Sequence, residues 1–361
     1  MKKQNIYLTQ ALERIFLSTE HIGFWDEKNS CIHSKLIFDK KWNWTVSSDT
    51  SDRYGVFTIT MILLAKFINN LNISKYESKI ILYLDYIKNN ISNYKKSDIT
   101  YGAFNALVLG QILFEDDGKN YKSELLNTYQ FLKKEINSIT NNEDALVLIG
   151  LNLYYKYINK DKDVLSYIEV LVESLLNTQS KKGFFLTGDI RAVYHQRAMY
   201  TLWGLSFSSL HTHKDEIKIA IEKSINYIWF NRRDGKDNAF IWHPLFYIIK
   251  TRSNLFLPII SPYSANYLFE CHQTFFANAI AFYQNFYKTT KFTEYKQKAL
   301  DWIFGVNRIK EDIISITKLN IPTRIMSRKG KLNIKNNNFI GSYEIGSYIF
   351  ALSNKNYLNN L

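Results

Sequence analysis

The chain has 361 residues, which allows one large domain or two, and 46 % of them are apolar, enough to bury a sizeable core. It holds four prolines and none before Pro244, which fits helices better than a loop-rich β protein over its first two thirds, because proline breaks helix interiors. The formal charge of +13 favours acidic partners, yet the lysines are spread along the chain rather than blocked, which argues against a nucleic-acid arm and is also what solvated helix faces give.

Two cysteines, Cys31 and Cys271, make no disulfide framework. The opening MKKQNIYLTQALERIF lacks a long apolar region and a small-residue cleavage site, so it reads as an amphipathic helix rather than a signal peptide. No apolar run reaches the length needed to cross a bilayer, and the expected location is the cytoplasm.

In chain order the periodicity predicts helix pairs. An amphipathic helix over 4–18 precedes DRYGVFTITMILLAKFI (52–68), with GFWD (23–26) between them. Helices over 76–91 and 100–114 form the second pair, 121–136 and 143–158 the third. The fourth joins 163–179 to the stretch GFFLTGDIRAVYHQRAMYTLWGL (183–205), whose apolar end is the inner helix. The fifth joins 215–230 to ECHQTFFANAIAFYQNFY (270–287), and the sixth 293–305 to SYEIGSYIFALS (342–353). The first helix of each pair keeps one polar face, as a surface helix does; the second is apolar on several faces and carries small residues, as a helix packed on both sides requires.

Twelve helices in six pairs make an all-α chain, and their alternation resembles the (α/α)6 toroids, the six-hairpin glycosidases and their relatives. The resemblance spans almost the whole chain, rests on pattern alone, and is shared by an α-solenoid of stacked pairs. It implies a single toroid domain over 1–361, with the long connections 231–264 and 306–341 covering a cleft mouth. Arg324, Arg328 and Lys329 in the second connection would then face an acidic substrate.

Polar groups gather where the inner helices begin. Asp49, Asp52, Arg53 and Tyr54 open the first, and Tyr101 and Asn105 the second. Asp189, Arg191, Tyr194, His195, Gln196 and Arg197 open the fourth. His243, Glu270, His272 and Gln273 open the fifth, and Tyr343 and Glu344 the sixth. The third, starting at Asn141, Asn142, Glu143 and Asp144, contributes less clearly. In an alternating ring all inner helices run the same way, so these starts share one end, where helix N-termini add partial positive charge. Aspartates there also serve as ordinary helix caps, and the histidines and tyrosines also fit a buried core.

The resemblance implies a carbohydrate-active enzyme. Glycoside hydrolysis needs two carboxylates, for which Glu270 and Glu344 are the candidates, with Asp189 or Asp52 as substitutes. A uronate lyase or a sugar epimerase on the same fold needs a base instead, His195 or Tyr194, and cations such as Arg191, Arg197 and Arg53. Asp52, Arg53, Tyr54, Tyr101, Arg191, Gln196, Arg197, Trp242, His243, His272, Gln273 and Tyr343 are the expected substrate contacts. Trp25, Trp42, Trp44 and Trp242 are candidates for stacking on sugar faces.

The expected partner is a glycan, neutral or acidic, with no cofactor. Three alternatives stay open: a noncatalytic helical-repeat binding protein, a terpenoid-cyclase-like toroid, and a zinc toroid built on Cys271 and His272 with Cys31. FEDDGKN (114–120) and DTSD (49–52) both lack the aspartate pattern of terpenoid cyclases.

Overall fold

A computed structural model describes residues 2–38, 43–47, 52–95, 98–139, 143–185, 195–232, 246–250, 256–260, 267–268, 270–304, 326–327 and 339–354. The chain divides into two compact units. Unit 1 comprises residues 1–131, 307–324 and 330–361; unit 2 comprises 132–306 and 325–329.

In unit 1 the helices are α1 (Lys2–Phe16), α2 (Asp52–Asn69), α3 (Glu77–Asn90), α4 (Asp98–Phe114) and a last helix over Ser342–Ser353, together with most of α5 (Lys122–Glu135). The segments expected to be apolar all round are the buried ones. Every residue from Thr58 to Ala65 in α2, from Thr100 to Gln111 in α4 and from Ser342 to Ser353 is closed off from solvent. These three helices pack side by side, α2 in the middle. Small residues let the backbones approach. Thr60 Oγ1 donates to Gly102 O across the α2–α4 seam at 3.1 Å, while a Cβ on Gly346 would lie 2.8 Å from Thr58 Cα. The contacts pair low numbers with low and high with high, Tyr54 with Tyr343 and Asn69 with Ser353, so α2 and the last helix are parallel.

Unit 2 repeats the scheme with α6 (Val147–Tyr157), α7 (Lys162–Leu176), α8 (His195–Ser208), α9 (Lys214–Arg232), α10 (Glu270–Tyr287) and α11 (Thr293–Phe304); the helix of Ser342–Ser353 is α12. In α7, Val164, Tyr167, Ile168, Leu171, Val172 and Leu175 are buried at helical spacing while Val170 is exposed, the one-faced pattern of an outer helix. Inner helices again run parallel. Gly204 of α8 lies against Ala145 just before α6, where a Cβ would come within 2.2 Å of Ala145 O. Trp203 Nε1 donates to Phe275 O of α10 at 3.2 Å, and Trp203 and Phe207 both meet the Phe282 ring further along.

Short strands join the helices, a feature the helical periodicity did not reveal. In unit 1, β1 (Trp25–Asp26) pairs with β2 (Cys31–Ile32). Also in unit 1, β3 (Lys35–Phe38) is the centre of an antiparallel sheet between β4 (Trp44–Val46) and β9 (Phe339–Gly341). In unit 2, β5 (Phe246–Lys250) pairs with β6 (Phe256–Ile260), and β7 (Tyr267–Leu268) with β8 (Met326–Ser327). Pro258 sits opposite Ile248 in the β5–β6 pair, a proline that only a two-stranded or edge position accommodates. Strands so short and sparsely alternating carry little signal beside the helices.

Candidate active site

The sheet of unit 1 leads straight into α12. Ser342 N donates to Ser34 O at 2.9 Å, and Lys35 is the register partner of Gly341. Gly341 permits this turn: a Cβ there would lie 2.7 Å from the Tyr343 ring. At the same end of unit 1, the first turns of three inner helices meet. The Arg53 guanidinium of α2 pairs with the Asp98 carboxylate of α4. The Tyr54 ring of α2 lies 4.5 Å from that of Tyr343 in α12, centroid to centroid, and Phe57 meets Tyr343 edge-on at 6.1 Å. Three helix N-termini at one place concentrate partial positive charge and backbone donors.

Two carboxylates in this cluster are already held. Asp52 accepts from Tyr94 Oη at 2.8 Å and from Tyr86 Oη at 3.1 Å, one phenol on each oxygen. Burial first, and then the Asp52 charge, push both phenols above their ordinary range. Tyr83, wholly buried beside them, is pushed up for the same reasons. Glu344 is fully buried. Its Oε2 accepts from Gly341 N–H and its Oε1 from Tyr343 Oη, each at 3.0 Å, so it turns back on the start of its own helix in a capping role.

A second group lies on the β1–β2 hairpin. His33 places Nδ1 3.2 Å from Ser47 O and Nε2 3.2 Å from Asp26 Oδ2, so both ring nitrogens are engaged. Burial pushes the Asp26 carboxyl up. Hydrogen bonds from the Asn29 side chain, Asn29 N–H, His33 and Lys28 N–H outweigh it and leave the carboxyl below its usual range. Burial, with the charges of Asp26 and Asp52, pushes the Cys31 thiol up to about 12. Among the described residues no three of His, Cys, Asp and Glu come together in a group that could hold a metal ion. The Cys271 and His272 side chains lie outside the described residues.

The structure brings Asp52, Arg53, Tyr54, Tyr343 and Glu344 to one end of unit 1. Tyr101 is on the same helix as Asp98 but is buried in the wall, 1 % exposed. Asn105 lies deeper in that wall. In unit 2, α8 begins at His195 and α10 at Glu270. The side chains of His195, Gln196, Arg197, Glu270 and His272 lie outside the described residues, as do Asp189, Arg191, Tyr194, Trp242 and His243 and the basic residues Arg324, Arg328 and Lys329. Gln273, in the first turn of α10, is fully buried.

The stacking role expected for Trp25 is corrected. Its ring is 1 % exposed, packed on Phe16, with Nε1 donating to Glu27 at 2.9 Å and the Lys79 ammonium above it. Trp44 is half-buried on β4, and Trp42 lies outside the described residues.

Asp98, Tyr86, Tyr94 and Lys35 belong to the cluster without having been singled out in the sequence. Asp98 had a local signal, an aspartate one helical turn before Tyr101. Tyr86 and Tyr94 had none, because their partner is 34 and 42 residues away. Asp144, at the start of the third inner helix, is buried in unit 2 at 9 % exposure, although that helix start carried the weaker signal in the sequence.

No known family profile and no curated protein matches this chain. Solved structures do. An unsaturated glucuronyl hydrolase from Bacillus sp. GL1, described as responsible for glycosaminoglycan degradation, superposes with a TM-score of 0.66 at 9 % identity, over 97 % of this chain and 96 % of that one. The chain has the (α/α)6 toroid fold. An Asp-to-Asn variant of the unsaturated glucuronyl hydrolase from Streptococcus agalactiae, complexed with dGlcA-GalNAc6S, gives 0.65 at 12 % identity, over 98 % and 91 %. A polysaccharide lyase gives 0.58 at 11 % identity, over 99 % of each chain. At such identities the likeness establishes the toroid over the solenoid and leaves the chemistry to the residues. Among the described residues no helix is long and apolar enough to cross a membrane.

Proposed function

We propose that this chain is a carbohydrate-active enzyme that cleaves a glycosidic bond in an oligo- or polysaccharide. The observation that supports it most is the convergence, in unit 1, of three inner-helix starts carrying Asp52, Arg53, Tyr54, Asp98 and Tyr343. That end of the inner barrel combines carboxylates, a guanidinium and aromatic faces, the set that binds sugar hydroxyls and ring faces. The fold neighbours include hydrolases and a lyase that act on glycans, which is consistent with the reading.

Hydrolysis is the first form of the proposal. One carboxylic acid gives its proton to the leaving oxygen as the glycosidic C–O bond breaks, and a second carboxylate activates the attacking water or attacks itself. Glu344, with both oxygens engaged, suits the task of holding the α12 start. Glu270 and Asp189, both in unit 2, are then the carboxylates proposed for proton transfer. The second form is a uronate lyase. His195 or Tyr194 removes the proton α to a carboxylate, Arg191 and Arg197 stabilise the enolate, and the β C–O bond breaks as the double bond forms, the leaving oxygen taking up a proton. The basic charge of +13 favours this second form.

The test is turnover followed by mass spectrometry with neutral and uronate-containing oligosaccharides. Hydrolysis predicts products heavier by one water, with Glu270→Gln losing about a thousandfold or more in kcat. A lyase predicts unsaturated products without added water, abolished in His195→Ala. No conversion and no binding across the panel would contradict the reading and favour a noncatalytic helical scaffold.

A further inference from the structure

Asp52 opens α2 with a half-buried carboxylate. Tyr86 of α3 donates its phenol proton to Oδ1 at 3.1 Å, and Tyr94, just beyond α3, donates to Oδ2 at 2.8 Å. Among the described residues no ion pair reaches this carboxylate, and the guanidinium of the neighbouring Arg53 pairs with Asp98. The N-terminus of α2 offsets about half a unit of the Asp52 charge, which leaves a net negative spot. Asp26 extends that field: the Cys31 thiol and the Tyr86 phenol both lie within reach of the Asp26 and Asp52 charges. The spot stands against a formal charge of +13 on the whole chain.

The count of donors decides what such a spot can hold. A phenol has one proton, and Tyr86 and Tyr94 both spend theirs on Asp52. Their oxygens then present lone pairs only, and each carboxylate oxygen keeps a lone pair beyond the bond it accepts. Tyr83 adds a further oxygen. It is wholly buried, its ring stacks on Tyr86 at 5.8 Å, and its hydroxyl meets no hydrogen-bond partner among the described residues. That hydroxyl lies against α2 one turn beyond Asp52, where a Cβ on Gly55 would come within 2.1 Å of it. An unpaired buried hydroxyl is costly, and it rotates to turn a lone pair toward a donor. Asp52, Tyr86 and Tyr94 are all half-buried, so the cluster keeps a solvent-facing side.

Acceptors gathered on a negative charge match a ligand that brings donors and a positive charge. An ammonium has three donors and no acceptor, whereas a hydroxyl brings lone pairs and no charge, and an N-acetylated amine brings one donor and no charge. A divalent metal ion is a poorer match, because such ions take about six or more oxygen ligands, several of them carboxylates, and only one carboxylate faces these phenols. We infer that Asp52, with the phenol oxygens of Tyr86 and Tyr94, forms a subsite for the free amino group of an amino sugar, and that Asp52 sets a preference for such glycans over their N-acetylated forms. The inference rests on the carbohydrate reading above and deepens it by naming a substrate class and the residue that selects it.

The experiment is titration calorimetry at about pH 5.5, where amino groups carry their charge. The ligands are a glucosamine oligosaccharide with free amines and the same oligosaccharide after N-acetylation. Wild type and Asp52→Asn are compared, with thermal melts to check folding. The inference predicts that wild type binds the free-amine form more tightly. It also predicts that Asp52→Asn weakens that binding about tenfold or more, the worth of a hydrogen bond to a charged group, while affecting the acetylated form far less. Equal binding of both forms by wild type would overturn the subsite, as would equal losses on both forms in the variant or a folded variant that keeps the preference. If the variant fails to fold, amide exchange of wild type decides: the free-amine form should slow exchange around residues 52–56 more than the acetylated form does, and no such difference with both bound would overturn the subsite. Binding of neutral or uronate glycans but not of the free-amine form would overturn the inference and leave the carbohydrate reading standing, whereas no glycan binding at all would overturn both.

Discussion

Lys296, on α11 in unit 2, shows what burial alone does to a charge. It is 4 % exposed and its ammonium donates to Gln284 Oε1 at 2.6 Å. Burial pulls its pKa down to about 8, below the 10.5 of an exposed lysine. The folded state therefore binds this proton less tightly than the unfolded one. The penalty is complete below about pH 8 and is relieved as the pH climbs toward 10.5. Urea denaturation of wild type and Lys296→Met at pH 7 and pH 9.5 should show wild type gaining about 2 kcal/mol relative to the variant as the pH rises. A difference independent of pH would mean that the ammonium is not closed off. In the candidate site, Asp52 and Glu344 each have both oxygens hydrogen-bonded, as buried polar groups require.

At the scale of elements, the inner helices depend on glycine and small residues where backbones touch. Gly346 of α12 is the clearest case in unit 1, because a Cβ there would lie 2.8 Å from Thr58 Cα and 3.1 Å from Thr58 O. Backbone cannot rotate away as a side chain can, so Gly346→Ala must push α12 off α2. We expect a loss of about 1–3 kcal/mol in a denaturant titration, with the shift in midpoint and not in slope. A neutral outcome would mean that the α2–α12 seam is looser than its contacts imply. The same seam positions Tyr54 against Tyr343, so the variant should also weaken glycan binding at the site proposed above.

For the whole molecule, the helical alternation was legible because burial imposes it. A helix packed on every side must be apolar all round, and its outer partner must keep a polar face. The segments 270–287 and 342–353 emerge with those bounds, and α4 begins two residues earlier than the apolar run because Asp98 opens it. The short strands were not legible, since two to five residues give no period to read. The site was legible as a set of helix starts, which places Asp52, Arg53, Tyr54 and Tyr343 together in unit 1. Its supporting contacts were not. The phenols of Tyr86 and Tyr94 on Asp52, and Lys35 on Tyr54 and Phe339, join residues far apart in sequence. The misplacement of Trp25 has the same origin: an aromatic in a loop looks available until the hairpin folds its ring against Phe16.

The central claim is that a glycan binds at the starts of the inner helices, and amide hydrogen exchange read by mass spectrometry tests it most directly. With a bound oligosaccharide that is not turned over, exchange should slow in peptides holding the first turns of α2, α4 and α12, around residues 52–56, 98–102 and 342–346. The outer helices α1 and α3 should not change. Protection confined to the outer helices, or none at the inner starts while the ligand is bound, would contradict the account.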